Sequence, residues 1–154
     1  MVLYYSRSKR TEVFAKVLGE MLGREVRELE SELNNKGNVA FICKALPMAF
    51  SGKGFPVSNM PLELPDDIYL CSPIWGGHVA GPPRYFLDNA DLKNTTVNLL
   101  LTANIPVDKY KNKALELLEK IPCRLGRAYI FATSDKVMPE SETVKEQLRE
   151  MIDL

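Results

Sequence analysis

Near its start the chain reads Tyr4-Tyr5-Ser6-Arg7-Ser8-Lys9-Arg10-Thr11, in which an apolar stretch runs directly into hydroxyl and basic side chains. Residues 2–5 are continuously apolar, as in a strand buried on both faces of a parallel sheet, and an amphipathic helix follows Thr11. The first N–H groups of a helix have no partner within the helix, and the helix dipole favours negative charge there. Because Ser6, Ser8 and Thr11 add hydroxyl groups, this turn is predicted to bind a phosphate.

The rest of the sequence alternates between predicted strands and predicted helices. The strands are residues 2–5, 24–29, 67–72, 95–101 and 127–133, of which residues 24–29 are the most polar and suit a sheet edge. Five helices are predicted. The first follows Thr11, the second covers residues 39–50, and the third begins at Gly81-Pro82-Pro83. The fourth runs from Asp108, as its cap, to Lys120, and the fifth follows Pro139. Pro47 is expected to kink the second helix or end it early. Residues 51–65 are predicted to form a loop.

This alternation predicts an α/β fold. Right-handed crossovers over a parallel sheet give a three-layer α/β/α sandwich with five parallel strands, and 154 residues suit a single domain spanning 1–154. Ligands of such sheets bind beyond the carboxyl ends of the strands, where the strand order reverses. The loops at those ends are residues 6–11, 72–78 and 102–106.

Charge, cysteines and hydropathy limit the class of protein. Twenty basic and twenty acidic residues balance, so no overall field points to a nucleic acid or to an anionic membrane. Cys43, Cys71 and Cys123 are far apart and are expected to be buried, reduced thiols, and no metal site is expected. Neither a leader nor a run of about 20 apolar residues is seen, so a cytoplasmic protein outside the membrane is expected.

Several phosphate chemistries are excluded by spacing. Neither a G-x-x-x-x-G-K-[ST] loop for nucleoside triphosphates nor a G-x-G-x-x-G turn for dinucleotides is present. The first strand ends without the acidic residues of a response-regulator receiver. Cys71 is not followed by the arginine of a cysteine phosphatase loop, and His78 is the only histidine.

Two stretches resemble one known family. Residues 4–11 are similar to the flavodoxin phosphate loop, [S/T]-x-T-G-x-T, and Ser72-Pro73-Ile74-Trp75-Gly76-Gly77 resembles the S-P-I-W-x-G run of short flavodoxin-family proteins. The resemblance covers nearly the whole chain. It implies the short-chain flavodoxin-like fold with strand order 2-1-3-4-5, one noncovalently bound FMN, and electron transfer between redox partner proteins, a reductase and an acceptor, or to a small-molecule acceptor.

The resemblance also implies a set of FMN-binding residues, and it implies no catalytic residue. The phosphate would be held by Ser6, Arg7, Ser8, Lys9, Arg10 and Thr11, through hydroxyls and backbone N–H groups. The isoalloxazine would lie along Pro73, Ile74, Trp75, Gly76, Gly77 and His78, and its other side would be closed by Thr102, Ala103, Asn104 and Ile105.

Physical chemistry supports parts of this assignment. Trp75 offers a flat face for stacking, which contributes about 0.5 to 1.5 kcal/mol beyond area burial. Gly76 and Gly77 lack a Cβ, so the backbone can approach a ring and a peptide can flip. Lys9 and Arg10 replace the Gly-Asn of the family pattern. Any position with positive φ in that turn is therefore strained, by roughly 1 kcal/mol, although two cations can attract a phosphate.

Plainer interpretations of the same residues stay open. The hydroxyls of the first loop can form a turn with a helix cap, exposed Lys9 and Arg10 can be solvated, and Trp75 can cover a sheet edge. His78 can bond the loop, and Thr102 or Asn104 can cap the fourth helix. At the level of function, the alternatives to an electron carrier are a cofactor-free binding module and an FMN-dependent reductase that uses NAD(P)H. The sequence does not indicate the oligomeric state.

Overall fold

A computed structural model describes residues 1–35, 37–134 and 136–152. The strands are β1 (Val2–Tyr4), β2 (Val26–Glu28), β3 (Asp67–Trp75), β4 (His78–Val79), β5 (Thr96–Ala103) and β6 (Arg124–Ala132). The helices are α1 (Arg10–Leu22), α2 (Asn38–Ser51), α3 (Gly81–Asn89), α4 (Asp108–Leu118) and α5 (Ser141–Ile152), and a 3₁₀ turn covers Glu32–Asn35.

The sheet has the order β2-β1-β3-β5-β6, with all four of these pairings parallel. The chain leaves β1 for the edge strand β2 and returns on the other side of β1 as β3, so the order reverses between β1 and β3. A sixth strand, β4, pairs antiparallel with the end of β3. The expected α/β architecture and the order of the five parallel strands are confirmed, while the predicted total of five strands was one too few.

Successive residues of each central strand enter opposite layers of the core. In β1, Leu3 belongs to the cluster beneath α3 and α4, which includes Phe86 and Leu118. Val2 and Tyr4 belong to the cluster beneath α1 and α5. This alternation explains why β1, β3 and β5 are mostly apolar, since a strand covered on both faces has no solvent side.

Helix α2 differs from the prediction. It continues through Pro47 to Ser51 and ends at Gly52, whose φ is 65°. The proline removes one helical N–H donor, but the turns on either side continue the helix. Few residues of α2 are buried: Ala45 joins Leu33 and Phe55 in a small cluster outside the main core.

Other boundaries and details also differ from the predictions. Asp108 is the first residue of α4 and pairs with Lys111 at 2.8 Å, and the residue that caps this helix is Val107. Cys71 is buried, but Cys43 is exposed on α2, so the expectation of buried thiols was wrong for Cys43. Among the described helices, none combines the length and the apolarity that crossing a membrane requires.

Candidate functional site

A cleft of about 640 Å³ opens at the carboxyl ends of β1, β3 and β5. This is the edge of the sheet where the strand order reverses, and where ligands of open α/β sheets bind. Twelve of the sixteen predicted site residues line it: Ser8, Arg10, Thr11, Pro73, Ile74, Trp75, Gly76, Gly77, Thr102, Ala103, Asn104 and Ile105. The three loops chosen from the sequence therefore meet at one cleft.

The turn between β1 and α1 ends in a strained residue. Lys9 is the N-cap of α1 with φ 67° and ψ −2°, and it is the one described non-glycine residue with positive φ. The side chain of Lys9 does not cap the helix. The strain expected where Lys9 stands in place of the glycine of the flavodoxin pattern is thus present, at a cost of roughly 1 kcal/mol.

Ser6 lies beneath this turn. Its side chain is 1% exposed, and its hydroxyl finds no hydrogen-bond partner among the described residues. A buried hydroxyl without a partner costs about 1–3 kcal/mol, so a group that bonded it would recover that free energy. Ser6 does not line the cleft wall itself, but it lies two residues before Ser8, which does.

A hydroxyl pair joins the first and third loops. The Oγ1 atoms of Thr11 and Thr102 are 2.8 Å apart, and both residues are buried. Each hydroxyl also belongs to a residue that lines the cleft. The pair fixes the start of α1 relative to the end of β5.

Arg7 and Lys9, two basic residues of the first loop, do not line the cleft. Arg7 donates a hydrogen bond of 2.7 Å from Nη1 to the carbonyl of Leu33, and its guanidinium lies 3.9 Å from the centre of the Phe41 ring. The ammonium of Lys9 pairs with Glu12 at 3.0 Å. Arg7 faces a neighbouring groove that shares Ser8, Arg10, Thr11, Pro73 and Trp75 with the cleft.

The second loop is a strand end and a tight hairpin. β3 extends through Trp75, and Trp75 pairs with His78 across the two-residue turn Gly76-Gly77. Both glycines have positive φ, 56° and 81°, which is the requirement of a type I′ turn. The prediction of a loop over residues 72–78 was therefore wrong in form, because a tight hairpin continues the strand that the sequence indicated.

The Trp75 ring is held by two other aromatic rings. Its centre is 5.5 Å from that of Tyr5 and 5.0 Å from that of Phe41, and both pairs are nearly perpendicular. Edge-to-face pairs of this kind contribute about 0.5–1.5 kcal/mol each beyond area burial. Trp75 is thus fixed in the cleft wall by contacts with Tyr5, directly after β1, and with Phe41 of α2.

His78 is one of the four predicted site residues that do not line the cleft, together with Ser6, Arg7 and Lys9. Its ring lines a second pocket of about 240 Å³, with its Nε2 atom 3.3 Å from the ammonium of Lys113. The pKa of His78 is lowered, mainly because the ring is partly removed from water and also because Lys113 and Arg84 are positively charged neighbours. The neutral imidazole is therefore favoured.

Sequence reasoning missed five residues of the cleft: Phe50, Lys109, Tyr110, Lys113 and Thr133. Three of them lie on the first turns of α4, where spacings of one and four residues place Lys109, Tyr110 and Lys113 near the third loop. Phe50 lies in the last turn of α2, a helix whose position at the cleft edge has no signal in the sequence.

Comparisons with solved structures identify the fold. A candidate flavoprotein from Bacteroides uniformis matches with a TM-score of 0.72 and 19% identity, over 97% of this chain and 96% of that one. The chain has a flavodoxin-like fold. A flavoprotein from Lactobacillus acidophilus in complex with FMN matches with a TM-score of 0.64 and 24% identity, over 84% of this chain and 90% of that one.

A third flavodoxin-like structure is a WrbA-like flavodoxin from Agrobacterium tumefaciens, with a TM-score of 0.59 and 12% identity over 94% of this chain and 86% of that one. No protein-family model and no curated protein sequence matches the chain. The chain therefore shares the fold of these three structures at 12% to 24% sequence identity.

Proposed function

We propose that this flavodoxin-like protein binds FMN and acts in electron transfer. The observation that carries the proposal is the convergence of the three strand-end loops on one cleft, with the buried, unpartnered hydroxyl of Ser6 at its phosphate-loop end. Support also comes from the similar L. acidophilus protein, whose structure contains FMN.

The first loop fits the phosphate of FMN by its chemistry. It offers the hydroxyls of Ser6, Ser8 and Thr11, the positive end of the α1 dipole, and the guanidinium of Arg10. N–H and hydroxyl donors with a nearby cation are the groups that bind phosphate at helix starts. Lys9 contributes through its backbone, since its ammonium pairs with Glu12.

The remaining cleft residues fit the isoalloxazine. Trp75, Pro73 and Ile74 supply apolar surface, the glycine turn supplies backbone without side chains, and residues 102–105 form the opposite wall. FMN bound here would supply one-electron or two-electron transfer. The cleft residues themselves would bind the ring, exclude water from it and hold polar backbone groups near it.

Retention of flavin during gel filtration tests the proposal. The purified protein is mixed with FMN and passed over the column, and absorbance in the flavin bands should elute with the protein. The Ser8→Ala variant should lose FMN more readily, because it lacks a hydroxyl that is offered to the phosphate. Ser8 lies exposed on the cleft wall, so the change removes no buried contact. Complete separation of flavin from wild-type protein at micromolar concentration would favour a cofactor-free binding module.

A second assay separates a carrier from an enzyme. We expect the FMN-loaded protein to accept electrons from a flavoprotein reductase and to pass them to an acceptor, with little oxidation of NAD(P)H on its own. Rapid steady-state oxidation of NAD(P)H with a quinone would instead identify an FMN-dependent reductase. A cytoplasmic location and the identity of the partners stay predictions.

A further inference from the structure

The end of the cleft away from the phosphate loop is positively charged. Lys109 and Lys113 of α4 both line it, beside the Gly76-Gly77 turn and the third loop. Asp and Glu are absent from the described residues that line the cleft. This charge distribution is local, since the chain as a whole has a formal net charge of +0.

Lys113 has a defined position. A Cβ built on Gly77 would lie 4.0 Å from the ammonium of Lys113 and 3.3 Å from the ring of Tyr110. The ammonium also lies 3.3 Å from Nε2 of His78, which can accept a hydrogen bond from it in the appropriate tautomer. A half-buried lysine held between a hairpin turn and a ring loses fewer conformations on ligand binding than a free surface lysine.

The charge of Lys113 is not neutralised by an ion pair. Within residues 1–35, 37–134 and 136–152, the pairs found on α4 include Lys111 with Asp108, and none includes Lys113. Its direct contact is an imidazole that is held neutral. No carboxylate of the described residues therefore pairs with this ammonium at the cleft wall.

We propose that Lys113, aided by Lys109, makes the site bind reduced FMN more tightly than oxidised FMN. The inference rests on the proposed function, because it concerns the ring end of the same cleft. Reduction adds negative charge to the isoalloxazine, so an unneutralised cation beside the ring stabilises the reduced form more than the oxidised form. By thermodynamic linkage the midpoint potential of bound FMN is higher than that of free FMN.

The geometry also gives this residue a role distinct from affinity. Phosphate contacts at residues 6–11 are the same in both oxidation states and change the two dissociation constants equally. Lys113 lies at the other end of the cleft and changes their ratio. Lys113 thus determines the potential at which the protein exchanges electrons, and favours acceptance of electrons over donation at low potential.

The test is a potentiometric titration of the FMN-loaded protein beside free FMN in the same buffer. The Lys113→Gln variant should lower the ratio of the oxidised to the reduced dissociation constant about tenfold, which corresponds to a fall of about 30 mV for a two-electron couple. Lys113→Glu should lower it further. Lys93→Gln is the matched control, because Lys93 is exposed at the opposite end of β5 and loses the same charge.

The possible outcomes distinguish a failure of this inference from a failure of the proposed function. A fall in potential for Lys113→Gln that exceeds the fall for Lys93→Gln, with the wild-type potential above that of free FMN, supports the inference. If FMN is retained but the two variants shift the potential equally, or if the wild-type potential lies below that of free FMN, the inference is overturned and the proposed function stands. If the wild-type protein does not retain FMN, both fall.

Discussion

At the scale of single residues, the backbone of Lys9 shows how the first loop departs from the flavodoxin pattern that it resembles. Its φ of 67° is a conformation that glycine adopts without cost. We expect Lys9→Gly to raise the free energy of unfolding by about 1 kcal/mol or less, because relief of strain exceeds the added freedom of the unfolded chain. Urea denaturation measures it.

Lys9→Ala is the control for this change. Like Lys9→Gly, it removes the ion pair with Glu12, but it retains a Cβ in the strained conformation. A Lys9→Gly protein that is no more stable than Lys9→Ala would show that the left-handed conformation carries no strain here.

The Thr11 and Thr102 hydroxyls make a second prediction. Thr11→Val keeps the shape of the side chain but leaves the buried Oγ1 of Thr102 without this partner, which should destabilise the protein by about 1–3 kcal/mol. Replacing both threonines by valine should cost less than the sum of the single changes. A double-mutant cycle measures this, and strict additivity would mean that the two hydroxyls do not interact.

His78 gives a direct probe of the Lys113 charge, since the sequence has a single histidine. Its pKa is below the usual value near 6.5. The folded state therefore binds fewer protons than the unfolded state, and the stability of the protein falls as the pH drops below about 6.5. NMR titration of the one imidazole should show the lowered pKa, and Lys113→Gln should raise it toward 6.5. An unchanged pKa would place Lys113 away from His78.

At the scale of elements, the β3–β4 hairpin depends on its two glycines. Gly76→Ala forces a Cβ into positive φ and to 3.1 Å from the Phe50 ring, so we expect a loss of more than about 1 kcal/mol. Gly23→Ala is the control, because it has φ 61° with no atom near the added Cβ. The difference in thermal stability between the two variants measures the crowding, and a Gly76→Ala protein as stable as Gly23→Ala would contradict the described approach of α2 to the turn.

Helix α2 carries a proline in its interior, and few of its residues are buried. Pro47→Ala should stabilise this helix by about 1–3 kcal/mol, because it restores one N–H donor and removes a steric clash. Hydrogen exchange of the backbone amides of residues 41–51 measures local opening of the helix. This exchange should be slower in Pro47→Ala than in the wild-type protein. Pro56→Ala is the control, since Pro56 is exposed and outside any helix; equal effects of both changes would rule out a helix-specific cost.

The sequence predicted the elements unevenly, for physical reasons. The parallel strands were recognised because strands covered on both faces are continuously apolar, and the three loops followed from the ends of those strands. β4 has two residues, too few for any periodicity. Lys109 and Lys113 were missed because exposed and cleft-lining lysines on an amphipathic helix look alike until the helix is placed beside the third loop.

At the scale of the whole molecule, the sheet order determines where the chemistry can occur. The reversal between β1 and β3 opens a gap at the carboxyl edge, and the turns after β1, β3 and β5 all face it. His78 fell outside the cleft because the glycine turn sends the chain back along β3. The resemblance of two short motifs was therefore sufficient for the fold and for most of the cleft wall, but not for its charge.

The most direct test of the account is the affinity of the protein for FMN compared with riboflavin, measured by titration of flavin fluorescence. Only FMN carries the phosphate, so a site with its phosphate cradle at residues 6–11 should bind one FMN per chain at least about tenfold more tightly than riboflavin, a difference of about 1.4 kcal/mol. Equal affinity for the two flavins, or no saturable binding of either, would contradict it.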